Sequence, residues 1–182
     1  VLLSVIDTVT GNALTWMRVL QIILGTLSTV LVYRTASILF GKGPGIISGV
    51  AVAMSAQLIY FDSMLLVESL FAFAIASLLF FVVKAIEKPG WKLWAMAGLS
   101  AGVLIALRGS IALFVPVLLV YLWMQRGRYP AWKTSAIAFT AAVLLVVVPF
   151  VVRNSVYADE FVPLTSSGGL NFYAGNNESA DG

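Results

Sequence analysis

Residues 149–177 read PFVVRNSVYADEFVPLTSSGGLNFYAGNN, and the reading of this stretch decides what the rest of the chain is. A long apolar run stops here. Pro149 ends or bends it, and the chain leaves for water with Arg153, Asn154, Asp159 and Glu160. The run from Gly168 to Asn177 is too polar and too glycine-rich to span a membrane, yet it carries Phe172 and Tyr173, which a plain linker does not need. It reads as a structured outer loop lying over a site, fed by a chain that crosses a bilayer repeatedly.

Composition agrees. Of the 182 residues 60% are hydrophobic and 10% charged, and the mean hydropathy is +0.99; soluble domains run at roughly 45–50% apolar and ~25% charged. The fold class is therefore an all-α polytopic membrane protein. With no Cys there is neither a disulfide frame nor a thiolate metal site within these residues. With no His, acid–base work falls to Asp or Glu. The net charge of +3 is spread over loops, so no patch points to nucleic acid as a partner. A chain that opens on Val1 and stops in mid-loop at Gly182 reads as a piece of something longer.

Working back from residue 149, six apolar runs suggest themselves, at about 12–33, 44–60, 65–83, 93–107, 111–124 and 134–152. They make a helical domain over 12–152, preceded by the tail of an outer loop (1–11) and followed by the outer loop 153–182. Arg108-Gly109-Ser110 stands between the fourth and fifth runs. Burying that Arg in mid-membrane would cost at least ~2.5 kcal/mol, so two spans with a tight hairpin are the better reading. The glycines around Lys42 lack the spacing and the GK[ST] ending of a phosphate loop. Trp91 and Trp94 beside a basic turn read as interface anchors. Gly45-Ile-Ile-Ser-Gly49 and Gly98-Leu-Ser-Ala-Gly102 are small-xxx-small spacings that suit helix packing.

The loops divide by charge. One set holds Arg34, Lys42, Lys84, Lys88, Lys92, Arg126, Arg128 and Lys133, the other only Arg18, Arg108 and Arg153. Eight against three places the first set in the cytoplasm. Seven of the eight acids then lie outside, with Glu87 alone inside.

On that outer face Glu68 stands at the lip of an apolar run, which reads either as a carboxylate reaching interfacial water or as an acid facing a cavity. Asp62 lies six residues earlier, a separation that turns the two carboxylates apart on a helix. Arg108, Arg153 and Arg18 are the cations of the same face. Each is either a snorkelling or head-group contact, or a planar fork for a lipid-linked phosphate.

Taken together, several elements in order resemble the membrane glycosyltransferases of the GT-C fold, close to family 39 and the protein mannosyltransferase and aminoarabinose transferase relatives. They are Arg18, Leu24-Gly25, Tyr33 and Leu39-Phe40-Gly41; Tyr60-Phe61 and Glu68; Ala101-Gly102, Leu107-Arg108 and Pro116; and Pro149, Arg153-Asn154, Phe161-Val-Pro-Leu164, Gly168-Gly169, Asn171-Phe172 and Gly175-Asn176. The resemblance implies inverting transfer of a sugar from a polyprenyl-phosphate donor to a lipid, glycan or protein acceptor. The site would be on the extracytoplasmic face of a prokaryotic plasma (inner) membrane. It implies that Glu68 is the second acidic position, that the principal Asp lies in an upstream loop of which Asp7 is at most the tail, and that Arg108, Arg153 and Arg18 are donor-phosphate contacts. Asn154, Gly168, Gly169, Asn171, Tyr173 and Asn176 would form the substrate loop. These residues alone are expected to be inactive. No cofactor is evident, and a divalent metal stays open for the full-length protein.

Two other classes compete: a secondary transporter or flippase with Glu68 and Arg108 as gating charges, and a non-catalytic membrane scaffold. Against the transporter, the ionisable groups sit at the ends of the runs and no inverted repeat is visible.

Overall fold

The computed structural model describes residues 12–63 and 68–158, and among the described residues there is helix and short connection but no strand. The helices are α1 (Ala13–Phe40), α2 (Lys42–Ala53), α3 (Ala56–Ser63), α4 (Glu68–Glu87), α5 (Trp91–Leu107), α6 (Phe114–Met124) and α7 (Trp132–Ala158), with 3₁₀ turns at Gly109–Leu113 and Gln125–Gly127. Four segments are long and apolar enough to cross a membrane: Leu14–Phe40, Glu68–Glu87, Gly109–Gly127 and Trp132–Tyr157. Their outer faces are greasy, with Ile23 at 49%, Val117 at 60% and Leu145 at 70% exposure. Such surface is costly in water and at home in lipid. The fold is an all-α polytopic membrane protein.

Helix ends follow local chemistry. α1 runs on to Phe40 and turns at Gly41, whose φ of +91° with ψ of 174° is open to glycine and strained for other residues. The run expected over 44–60 is two helices, although neither Gly nor Pro marks the break. There Met54 N–H reaches Val50 O at 2.9 Å and Ser55 N–H reaches Val52 O at 3.1 Å, a tightened last turn that closes α2. At ~1.5 Å per residue α2 alone covers roughly 18 Å, short of the ~30 Å hydrocarbon core. α7 passes through Pro149 without ending. Arg153 and Asn154 therefore stand on helical backbone rather than in a loop.

The helices pack as a row in the order α2, α1, α4, α5, α7, with α6 leaning on α7. Close approach is bought with glycine. A Cβ on Gly45 would collide with Ser37 Oγ, and one on Gly49 would lie 3.1 Å from Tyr33 Cβ, which makes α1 and α2 antiparallel neighbours. A Cβ on Gly98 would strike Phe139 O, and one on Gly102 would lie 2.7 Å from Val146 Cβ. Because both contacts advance in the same sense, α5 and α7 are parallel. Trp94 fills the space beside them, 1% exposed, edge-on to Phe139 at 6.1 Å and 6.4 Å from Tyr121. It is a core residue and not an interface anchor: one helical turn beyond Trp91 it faces α7. Trp91 is half exposed, with Lys92 Nζ 5.9 Å from its ring.

α1 and α4 run the same way, since Arg18 shares a cleft with Ser69 and Arg34 a groove with Phe80, and α5 opposes α4; the starts of α1 and α4 and the ends of α5 and α7 thus lie at one end of the bundle, the Glu68 end. At the other, Arg126 lies 4.1 Å over Trp123 and Lys133 5.9 Å from Trp132. Cations over indoles suit a membrane–water interface; this is the lysine-rich end.

Candidate active site

Antiparallel packing of α4 on α5 brings a helix N-terminus beside a helix C-terminus. The first favours negative charge and the second positive. Glu68 occupies the first turn of α4, and Arg108 is the C-cap of α5, extended at φ −141°, ψ 104°, its N–H on Leu104 O at 2.7 Å. Each charge thus suits its own helix end, and the two meet: Arg108 Nη2 is 3.6 Å from Glu68 Oε1. The guanidinium also lies 4.9 Å from the Phe71 ring centroid. Glu68 and Phe71, at i and i+3, together seat one face of the arginine.

The pair is unevenly exposed. Arg108's side chain is 59% accessible and that of Glu68 30%. As a stabilising contact such a pair contributes only ~0–1 kcal/mol. Its value lies in position. With one amino group directed at Glu68, the remaining N–H donors of Arg108 can meet another anion. Glu68 Oε2 is buried and has no hydrogen-bond partner among the described residues.

On the other flank of α4 the structure opens a cleft of about 730 Å³, bounded by α1, the ends of α2, α3 and α4 and lined by Arg18, Thr26, Ser28, Thr29, Leu58 and Ser69, among others. The hydroxyls of Thr26, Ser28 and Thr29 donate to Ile22 O (2.8 Å), Leu24 O (2.7 Å) and Gly25 O (3.1 Å). Their protons are spent on backbone, so toward a ligand they act as acceptors, while Arg18 donates only. The first turn of α4 is the wall between cleft and ion pair: Ser69 lines the one and Glu68 makes the other.

Of the residues singled out in the sequence, Glu68 and Arg108 are brought together, 40 positions apart in the chain. Arg18 lines the neighbouring cleft. Arg153 stands at the same end on α7, its guanidinium 5.2 Å from the Tyr157 ring one turn on, and Asn154 is half buried beside it. Asp62 lies on α3. Asp7, Gly168, Gly169, Asn171, Tyr173 and Asn176 fall outside the described residues. Sequence reasoning missed Phe71 and Ser69. The signal for Phe71 was its place one turn beyond Glu68; nothing in the sequence distinguishes Ser69 from other span serines. Among the described residues no group of three or more His, Cys, Asp or Glu could hold a metal ion.

The model of one known family, described as dolichyl-phosphate-mannose-protein mannosyltransferase, matches residues 1–152. No curated protein and no solved structure matches the chain. The family match covers every helix of the row up to the last turns of α7, and with it both flanks of the α4 first turn. This chain belongs to the dolichyl-phosphate-mannose-protein mannosyltransferase family, and is a membrane glycosyltransferase of the GT-C type.

Proposed function

We propose that this protein transfers a sugar from a polyprenyl-phosphate donor to an acceptor hydroxyl at the Glu68 end of the bundle, with inversion at the anomeric carbon. The acceptor oxygen attacks the anomeric carbon, the bond from that carbon to the phosphate oxygen breaks, and the phosphate leaves with the electron pair. Glu68 takes the acceptor's proton on its carboxylate. A phosphate leaving group needs little protonation but does need cations, and Arg108, Arg18 and Arg153 are of the right type. The cleft's acceptor-only hydroxyls suit the O–H groups of a sugar, and its Arg18 suits a phosphate.

The observation that carries this reading is the 3.6 Å contact of Glu68 with Arg108 at the mouth of α4 and α5. It sets a carboxylate and a partly free guanidinium side by side where a lipid carrier can present its head. The sequence partition of eight basic residues against three supports an extracytoplasmic site. In this reading residues 12–152 are the spanning unit.

The test is Glu68→Gln in washed membranes carrying the full-length protein and supplied with polyprenyl-phosphate sugar. Transfer falls by roughly 10²–10⁴ if the carboxylate is the base, with membrane insertion unchanged. Transfer at the parent rate removes Glu68 from the chemistry. The product's anomeric configuration, read by NMR, is opposite to the donor's if the displacement is direct.

A further inference from the structure

The lysine-rich half of the bundle holds a second concavity that sugar transfer does not use. A groove of about 340 Å³ opens between α1, α4 and α5, walled by Leu27, Leu31, Phe80, Phe81, Met96 and Leu99. Its polar members are few. Ser100 spends its proton on Met96 O at 3.0 Å, and Ser77 is buried in the wall. Arg34 lines one end. It is exposed and makes no ion pair among the described residues. Lys84 stands close by, its Nζ 5.3 Å from the ring of Phe80, another wall residue.

We infer that this groove binds an anionic glycerophospholipid, one acyl chain lying in the groove and the phosphate meeting Arg34 and Lys84. Three observations converge. α1 and α4 are both long and apolar enough to span a membrane, and the groove runs along their shared side, where lipid is the neighbouring medium. Its apolar walls offer nothing to a polar ligand, which excludes a free phosphate or nucleotide as the occupant. At Arg34, about two turns before the end of α1, the cation sits where a snorkelling guanidinium reaches the head-group level. An apolar channel with unpaired positive charge at one end has the polarity of a phospholipid. A partner helix would need a buried acid to match the same charge. The inference is independent of the transfer chemistry, because the groove lies toward the opposite end of α4 from Glu68.

Native mass spectrometry of the full-length protein, released from vesicles of mixed phosphatidylglycerol, phosphatidylcholine and polyprenyl phosphate, tests it. The protein should retain phosphatidylglycerol in preference to phosphatidylcholine. Arg34→Gln should lower that retention about fivefold, the effect of the ~1 kcal/mol a basic residue contributes near an anionic head group. Leu99→Trp, which fills the groove without altering charge, should lower retention of both lipids. Should Arg34→Gln fail to fold, Leu99→Trp and Lys84→Gln decide the matter. Equal retention of the two lipids, retention unchanged in the groove variants, or polyprenyl phosphate retained in place of phosphatidylglycerol overturns the inference. So does a photo-crosslinker at Met96 that captures protein instead of lipid.

Discussion

The α5–α7 interface and the region around α1, α3 and the start of α4 are built from the same apolar alphabet and behave in opposite ways. Along α5 and α7 the backbones approach closely at Gly98 and Gly102, and Trp94 and Phe139 are sealed. Around the start of α4 the helices part, leaving a cleft of about 730 Å³ and a half-exposed ion pair. In lipid, apolar burial cannot drive helices together, because acyl chains are as apolar as leucine; association rests on van der Waals fit. A glycosyltransferase of this kind must therefore confine close fit to some helix pairs and withhold it where substrate enters. Here the first task falls to α5 and α7 and the second to α1 and α4.

Three experiments break or sharpen that contrast. The largest effect is expected from Gly98→Leu. Its new Cβ meets the Phe139 carbonyl and, at 2.9 Å, the Ala142 Cβ, so α5 and α7 must separate. Overpacking of this type costs typically ~1–3 kcal/mol, seen as a lower midpoint of thermal unfolding in detergent. Gly127→Ala, whose Cβ would meet nothing within 4 Å, is the matched control and should leave the midpoint in place. A midpoint unmoved by Gly98→Leu means that the interface is looser than its geometry.

Next comes Arg153→Ala on the open side. If this guanidinium holds donor phosphate, the loss of one charge-assisted hydrogen bond at ~1.5–3 kcal/mol raises the apparent donor KM by about tenfold or more. An unchanged KM takes Arg153 out of the site and leaves it as an interface residue over Tyr157. The smallest effect is the coupling of Glu68 with Arg108. A double-mutant cycle with Glu68→Gln and Arg108→Gln, read by unfolding, should return no more than ~1 kcal/mol, since the arginine is 59% exposed. A larger coupling would make the pair a structural clamp, part of the packed region rather than of the open one.

Much of this was legible in residues. The glycine pairs at 45/49 and 98/102 were readable as packing positions, because only small side chains let membrane helices approach so closely. Glu68 and Arg108 were each conspicuous as charges at the ends of apolar runs. What stayed hidden was relational. The interruption at Met54-Ser55 has no Gly or Pro to mark it in the sequence. Trp94 looked like its neighbour Trp91 until α7 was seen to cover it. Of the two readings of Pro149, an end or a bend, the end is excluded, since the helix runs on to Ala158.

The sequence by itself determined that this is a helical membrane protein, with its basic residues mostly in one set of loops and its acids in the other, because the cost of placing charge or unpaired backbone in hydrocarbon acts residue by residue. Only the tertiary structure decided that Glu68 meets Arg108 and that Arg18 faces a cleft across the same helix turn. Those contacts depend on which helix ends lie side by side and in what rotation. Shape fit between whole helices sets these, and no local pattern encodes it.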